Sequence, residues 1–551
     1  MTGMKRREFL EVLGLGAAGT LMASNSTIAN AQTKKAQIKQ RIEFAKGPSD
    51  RPMDVRLTIK PVFSPIFHSD VWEGPCRPSA GRNADKGKEG AVASEPAPYW
   101  SIADGKKPEQ EKADAQATLK SISDLFKAVP NPEYRLLDPV MMEYSEDFWF
   151  SPEVLARLEP DMDKTDVYLV LGTNTYNYPA TVIAETFNKP VVIMGPGTIN
   201  PDAAAYLNAR GLEGYSIFFD FDELNHLASL LKTRKAFQQT GILIITDRDL
   251  PPIPVRSCIW DTDMLKDRLG IGVHFVSYRE FSNEMDKVIN GKEWNSKARD
   301  RAKQLIQNAG KTHIDEKYVR RSFEFYYAVK NLMQKYGCNA FTVECFELCA
   351  SRLAEKYQIT PCLVHTLLKD EGIASACEAD LNALLAMRLL MSVSNKSSFM
   401  GNPWASADPN NPYIVTKDRM VINHRVPGIK MAGYDKPDLP YHLHHFVESG
   451  WGTKVMIDFT QLEEKTVTLA RFNPLATKIY LAKGEVVDCT GFNKGNLIGC
   501  SLAAHIKVHD TRKTLKKLNE FGSHLSMVYG DYIDEITELA DMMGLDVVCA
   551  T

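Results

Sequence analysis

The chain has 551 residues, of which 44% are hydrophobic and 25% are charged, and its formal net charge at pH 7 is −3. A chain of this length exceeds what one hydrophobic core can organise, so we expect about three domains. The composition is typical of a soluble globular protein. No basic stripe interleaved with aromatic residues is present, which argues against nucleic acid as a partner.

The N-terminus has the layout of a twin-arginine export signal. Arg6 and Arg7 precede a modest apolar stretch at 12–23, and the small residues at 29–31 form a cleavage site. The apolar stretch is shorter than the roughly 20 residues that span a bilayer, although an uncleaved signal would still tether the protein. We therefore expect export to the periplasm through the twin-arginine translocase, with a mature chain that begins near Gln32.

Composition divides the remainder into a linker and three regions. Residues 32–52, which follow the signal peptide at 1–31, are polar and basic, as in a linker. Residues 53–160 start with a strand and include a loop at 75–112, rich in Gly, Pro, Ala and charge, which we expect to be lid-like. Residues 161–330 alternate strands with helices, as in DVYLVLGT, YPATVIAETF and KPVVIMGPG, and this rhythm predicts a parallel, doubly wound sheet.

The last region, 331–551, changes character along its length. After Met400 it contains short alternating strands separated by Gly, Asn and Pro, which predict an antiparallel barrel or sandwich. The predicted fold is therefore α/β. Two doubly wound Rossmann-like domains are followed by a C-terminal α+β domain that contains an antiparallel β-barrel.

Glu378 and Asp380 lie one residue apart where a small apolar strand, 373–377, meets a helix that begins at Leu381. Alternate residues of an extended segment point the same way, so both carboxylates would converge on one spot. The carboxyl end of a strand is where α/β proteins bind ligands. Asp380 is equally suited to be the N-cap of the following helix. The sequence leaves both explanations open.

Other candidate site residues are weaker. Trp72 and Arg77 follow a strand, and would stack on a sugar face and grip a hydroxyl or acidic group. His442 and His444 share a strand face at ligand-like spacing. A buried structural Trp and exposed strand-end histidines are the alternative explanations. The ten cysteines include no CxxC pair, and folding before export in a reducing cytoplasm favours buried thiols over disulfides.

Three segments, DEGIASACEADLNALLAMRLL, VTLARFNPLATKIYLAKGEVVD and GSHLSMVYGDYIDEITELADMMGLDV, resemble in this order the C-terminal half of the L-fucose isomerase-like proteins. The resemblance covers most of the mature chain and is specific from about Asn339 onward. It implies aldose–ketose isomerisation of a small-molecule sugar, assisted by a divalent metal that is usually manganese (Mn2+). It also implies a homo-oligomer with sites near subunit boundaries.

Family members hold the metal with a Glu, an Asp and a His, and two sugar oxygens complete the shell. Asp380 in CEAD matches the family's aspartate, and His524 in GSHL matches its C-terminal histidine. The family's glutamate belongs near Pro361, where this sequence has no carboxylate. Glu344 in FTVECF or Glu378 would then supply the third ligand or the catalytic base.

The expected chemistry passes through an ene-diol. A Lewis-acidic cation polarises two sugar oxygens while a carboxylate moves the proton, which gives Glu344, Glu378 and Asp380 as catalytic candidates. Oxygen ligands with one imidazole suit manganese or magnesium. Free monosaccharides are normally isomerised in the cytoplasm, so export favours two alternatives: a periplasmic saccharide hydrolase or lyase with the same pocket, or a non-catalytic sugar-binding protein.

Overall fold

The structure is a computed structural model that describes residues 44, 51, 54–67, 108–128, 131, 133–145, 151–172, 178–195, 200–218, 220–408, 411–492 and 498–550. The predicted signal peptide, Trp72, Arg77 and the first part of the predicted lid loop lie outside the described residues. Within the described ranges, no helix combines the length and the apolar character that a bilayer crossing needs.

The helices of the described part of the chain are α1 Pro108–Ala128, α2 Pro152–Ala156, α3 Tyr178–Phe187, α4 Asn200–Ala209, α5 Phe221–Gln238, α6 Thr262–Leu269, α7 Tyr278–Asn290, α8 Lys292–Asn308, α9 Glu316–Tyr336, α10 Cys345–Ala350, α11 Leu353–Tyr357, α12 Cys362–Asp370, α13 Leu381–Ser394, α14 Thr511–Lys517 and α15 Ile533–Met542. Short 3-10 helices occupy Glu159–Asp161 and Leu518–Glu520.

The strands described are β1 Leu57–Ser64, β2 Ile66–Phe67, β3 Tyr134–Leu136, β4 Val140–Met141, β5 Tyr144–Ser145, β6 Val167–Gly172, β7 Val191–Met194, β8 Gly214–Ile217, β9 Gly241–Ile245, β10 Gly272–Val276, β11 Lys311–His313, β12 Ala340–Val343, β13 Ala374–Cys377, β14 Phe399–Asp408, β15 Asn411–His424, β16 Tyr441–His445, β17 Thr453–Ile457, β18 Thr466–Phe472, β19 Lys478–Thr490, β20 Leu502–Lys507, β21 Leu525–Tyr529 and β22 Asp546–Cys549.

The chain divides into two compact units, one containing Thr58–Asn225 and the other His226–Thr551 with a short preceding segment. The first unit has a six-stranded sheet in which β1, β6, β7 and β8 pair in parallel. These strands are apolar because both faces of a parallel sheet are covered, and helices α3 and α4 connect them. Strand β1 pairs with β6, so the predicted domain boundary at residue 160 falls within one sheet.

The second unit begins with a four-stranded parallel sheet in the order β10-β9-β12-β13. All four residues of β12 and of β13 are buried. Val343, the last residue of β12, pairs with Cys377, the last residue of β13. The carboxyl ends of these two strands therefore lie side by side, which brings the residues that follow them into one place.

The C-terminal part of this unit contains a closed antiparallel β-barrel. Its six strands run β18-β21-β14-β15-β20-β19, and pairing of β18 with β19 closes the ring. Closure removes the free edges of an open sheet. Apolar residues of the parallel sheet, such as Phe341, and of the barrel, such as Ile422 and Met527, belong to one core. The predicted α/β class with a C-terminal barrel is confirmed.

Candidate metal centre

Glu378, His424 and His524 come together in the second unit, and one ligand atom of each lies within 4.8 Å of the other two. We call these three residues the candidate metal centre. Glu378 follows β13, His424 is the last residue of β15, and His524 directly precedes β21. Their side chains are buried, with 8%, 0% and 1% of their surface exposed, respectively. The parallel sheet thus supplies the carboxylate and the barrel supplies both imidazoles.

The backbone at this centre is held in an uncommon conformation. Glu378 and Ala379 have φ values of 61° and 52°, and His524 has a φ of 71°. Left-handed backbone costs an L-residue about 1–2 kcal/mol. Such strain persists where surrounding structure enforces it, and it concentrates at functional sites. The strained turn after β13 directs the Glu378 side chain towards His424 and His524.

The two imidazoles approach the carboxylate without bonding to it. His424 Nε2 lies 3.6 Å from Glu378 Oε1, and His524 Nε2 lies 3.6 Å from Glu378 Oε2. Both Nε2 atoms are buried without a hydrogen-bond partner among the described residues. Two atoms that each bind one ion at about 2.0–2.2 Å lie about 3–4 Å apart. The separations and the unmet Nε2 atoms therefore fit a shared cation.

The protonation states also suit a metal. Burial lowers the pKa of His424 to about 4, so its imidazole is neutral at pH 7 and its nitrogen lone pair is available. Burial opposes ionisation of Glu378, but electrostatic interaction with the neighbouring imidazoles of His424 and His524 outweighs it and lowers the pKa of Glu378. The centre therefore offers one carboxylate and neutral imidazole nitrogen, the donors that divalent transition metals bind.

Asp380 lies behind His524 rather than within the three-residue centre. Its Oδ2 is 2.9 Å from His524 Nδ1 and accepts from Arg471 Nη1 at 2.7 Å. Its Oδ1 accepts from the Ala383 N–H at 3.1 Å, which makes Asp380 the N-cap of α13. A carboxylate at Nδ1 fixes the proton there and leaves Nε2 free to bind a metal. Asp380 is thus both a helix cap and the group that orients His524.

Arg471 ties this arrangement to the barrel. It lies on β18 and is fully buried. Its Nε donates to Phe521 O at 2.6 Å, and its Nη1 also donates to His524 O at 3.0 Å. Arg471 therefore holds the backbone that carries His524 as well as the carboxylate that orients it.

The Asp380 ion pair predicts a pH dependence of stability. Burial would raise the pKa of Asp380, but Arg471 and His524 outweigh burial and lower it to about 2. The unfolded value is about 3.9, so the stabilisation is complete above that pH and is lost as pH falls towards 2. We expect the urea midpoint to drop between pH 5 and pH 3 by less in Asp380→Asn than in the wild type. Equal drops would contradict this assignment.

Glu344 lies beside the centre without belonging to it. It follows β12 as Glu378 follows β13, and it is buried. Its carboxylate caps α10 by accepting from the N–H groups of Phe346 and Glu347. Burial, together with the charges of Glu347 and Glu378, raises its pKa. A carboxylate with a raised pKa is better suited to receive a proton than one held fully ionised.

His444 lies elsewhere in the second unit. It is on β16 in a three-stranded sheet, and its ring is 4.5 Å from that of His313. Burial lowers its pKa to about 4. The structure therefore brings Glu378 and His524 together. Asp380 is hydrogen-bonded to His524, Glu344 is close enough to Glu378 to interact electrostatically, and His444 lies in a separate histidine cluster.

His424 is the residue that sequence reasoning missed. It ends the segment RMVINH, in which Met420 and Ile422 are buried. A histidine that closes an apolar strand is the one available signal, and no motif accompanies it. Its role depends on the pairing of β15 and β21 with the same strand, β14, which brings the end of β15 close to the start of β21.

No protein-family model matches the chain. Two curated proteins are similar to it, the sulfoquinovose isomerases of Priestia aryabhattai and Priestia megaterium, each 22% identical over 328 residues. The aligned stretch is 58% of this chain and 66% of each relative, slightly less than two thirds of the relatives' length. The chain is similar to sugar isomerases.

Proposed function

We propose that this chain is a metal-dependent aldose–ketose isomerase whose divalent cation is held by Glu378, His424 and His524. One observation carries the proposal. A buried carboxylate and two buried imidazoles converge, and the Nε2 atoms of both imidazoles lack a hydrogen-bond partner among the described residues. The similarity to sugar isomerases supplies the reaction class. A divalent cation bound there would polarise two neighbouring oxygens of the sugar as a Lewis acid.

Glu344 is the proposed base, although Glu378 remains the alternative that the sequence left open. Isomerisation removes the proton from C2 of the aldose and returns a proton to C1. Glu344 stands at the neighbouring strand end, and its raised pKa favours proton uptake. Its two amide hydrogen bonds fix the carboxylate, so only the proton needs to move. Glu378 would instead serve the metal, and Asp380 would orient His524.

We propose Mn2+ as the metal, as the resemblance implies. The centre differs from the expected set in having two imidazoles and one carboxylate, a donor set that also suits other first-row metals. The carboxylate and two sugar oxygens would keep the coordination oxygen-rich when substrate is bound. Elemental analysis of the purified protein identifies the metal directly.

The decisive experiment follows the proton. Protein stripped with EDTA and reloaded with Mn2+ is given aldoses, sulfoquinovose among them, in heavy water, and products are read by NMR. We expect ketose from the reloaded protein only, with deuterium at C1. A hydrolase would release reducing ends from a glycoside without labelling carbon, and a sugar-binding protein would do neither. Absence of ketose across the panel contradicts the proposal.

We further propose that the protein is exported through the twin-arginine translocase and acts in the periplasm as a homo-oligomer. Changing Arg6 and Arg7 together to Lys should strand the precursor in the cytoplasm, because the pair is the part of the signal that the translocase reads. Cell fractionation measures this, with Lys5→Arg as the control. Unchanged periplasmic protein in the double variant would contradict the export proposal.

A further inference from the structure

Arg425 is a buried cation without a counter-ion among the described residues. It directly follows His424, and 9% of its surface is exposed. Its Nε and Nη1 are buried without a hydrogen-bond partner, and no carboxylate of the described residues lies within 4.0 Å of the guanidinium. The guanidinium carbon sits 3.6 Å from the centre of the Phe446 ring. Stacking on an aromatic ring offsets only part of the cost of burying a charge.

The side chain lines a cavity of about 240 Å³. The other lining residues include four thiols, those of Cys345, Cys349, Cys362 and Cys377, and the walls are almost entirely apolar. The Sγ atoms of Cys345 and Cys377 lie within 4.8 Å of the Glu378 carboxylate. The cavity therefore adjoins the candidate metal centre, and one small molecule would reach both.

The surroundings of the cavity do not neutralise Arg425. Burial raises the pKa of the Cys362 thiol, so this thiol is not an anion at neutral pH. A second cation, Lys454, interacts electrostatically with Arg425. Burial chiefly lowers the pKa of Lys454, to about 8, and its Nζ donates to Gly499 O and Ser501 Oγ. A bound anion would supply the partner that no carboxylate of the described residues gives Arg425 within 4.0 Å.

We propose that this cavity binds an anionic substituent of the substrate through Arg425, so that the enzyme acts on aldoses that carry a sulfonate, phosphate or carboxylate. The inference rests on the proposed function, because it takes the reacting end of the sugar to lie at Glu378, His424 and His524. A guanidinium recognises oxyanions through charge-assisted hydrogen bonds. A neutral aldose would leave the buried charge of Arg425 unpaired, so the site would bind charged aldoses more tightly than neutral ones.

Binding of alditols tests this without turnover, because an alditol has no carbonyl to isomerise. Isothermal titration of the full chain would compare glucitol with glucitol bearing a 6-sulfonate or a 6-phosphate, and with the analogue that has a carboxylate in place of the C6 hydroxymethyl group and no carbonyl at C1. We expect at least one charged alditol to bind more than about ten-fold more tightly than glucitol. Arg425→Met should abolish the difference. Arg419→Met changes an exposed arginine on β15, the strand that precedes Arg425, and should preserve it. Comparison of the sulfonate, the phosphate and the carboxylate identifies the anion that the site prefers.

The outcomes separate the two proposals. Equal affinity for charged and neutral alditols overturns the anion site, even if neutral aldoses are isomerised. Preference for a charged alditol in a protein that forms no ketose supports the anion site and overturns the isomerase. If Arg425→Met does not fold, competition in the wild type decides: inorganic sulfate or phosphate should weaken binding of the charged alditol and not that of glucitol. Equal competition against both overturns the proposal.

Discussion

Replacing Asp380 with Ala is expected to destabilise the fold by about 3–5 kcal/mol, because it leaves Arg471 as a buried charge without its partner. Both side chains are fully buried, and their ion pair is 2.7 Å long. The change also removes the cap of α13 and frees the ring of His524. Loss of an orienting carboxylate typically weakens metal binding by about 10–100-fold. Urea unfolding and competitive metal titration measure the two effects.

A matched control separates the ion pair from the helix cap. Asp261 caps α6 in the same way, accepting from the Met264 N–H, but it is exposed and no arginine of the described residues forms an ion pair with it. Asp261→Ala should cost about 0.5–2 kcal/mol, the usual loss for a cap, and should leave metal affinity unchanged. If the two variants lose equal stability and bind metal equally well, Asp380 is only a helix cap.

Changing Glu378 to Gln should remove both metal and activity. The amide keeps the volume of the side chain but carries no charge and offers one acceptor oxygen in place of two. We expect metal occupancy to collapse and the rate of ketose formation to fall by at least about 10²–10⁴-fold, the range associated with losing a catalytic carboxylate. Metal analysis and single-substrate kinetics measure the two quantities.

The control for this variant is Glu371→Gln. Glu371 is a partly buried carboxylate that accepts from Tyr326 and Lys330 on α9, outside the candidate metal centre. It should change stability slightly and leave metal content unaltered. Full metal occupancy in Glu378→Gln would remove Glu378 from the ligand set. Loss of activity with metal retained would make it the catalytic base instead of Glu344.

The sequence predicts the junction at Glu378 and Asp380 but not the separate roles of the two carboxylates. Alternate residues share a face only while the chain stays extended. Here Glu378 and Ala379 turn into left-handed conformations directly after β13. The turn directs Glu378 towards His424 and leaves Asp380 facing Arg471. The sequence therefore predicts that Glu378 and Asp380 lie at the end of a strand. It does not predict the left-handed turn that points the two carboxylates in different directions.

Local patterns account for the fold better than for the site. The short apolar strand Ala340–Val343 is typical of a parallel sheet, and the short strands separated by Gly, Asn and Pro after Met400 predict the barrel. The site depends on contacts between distant segments, since His424 meets His524 only because β15 and β21 are both neighbours of β14. Pairing of this kind leaves no trace in either segment alone, which is why His424 escaped prediction.

The most direct test of the account is an anomalous difference map from a crystal of the protein grown with Mn2+. The account predicts one strong peak bonded to Nε2 of His424, Nε2 of His524 and the carboxylate of Glu378, at about 2.0–2.2 Å from each. Asp380 should remain hydrogen-bonded to His524 without touching the ion. A map with no peak between these three side chains, or with the ion bonded to Asp380 in place of His424, would contradict it.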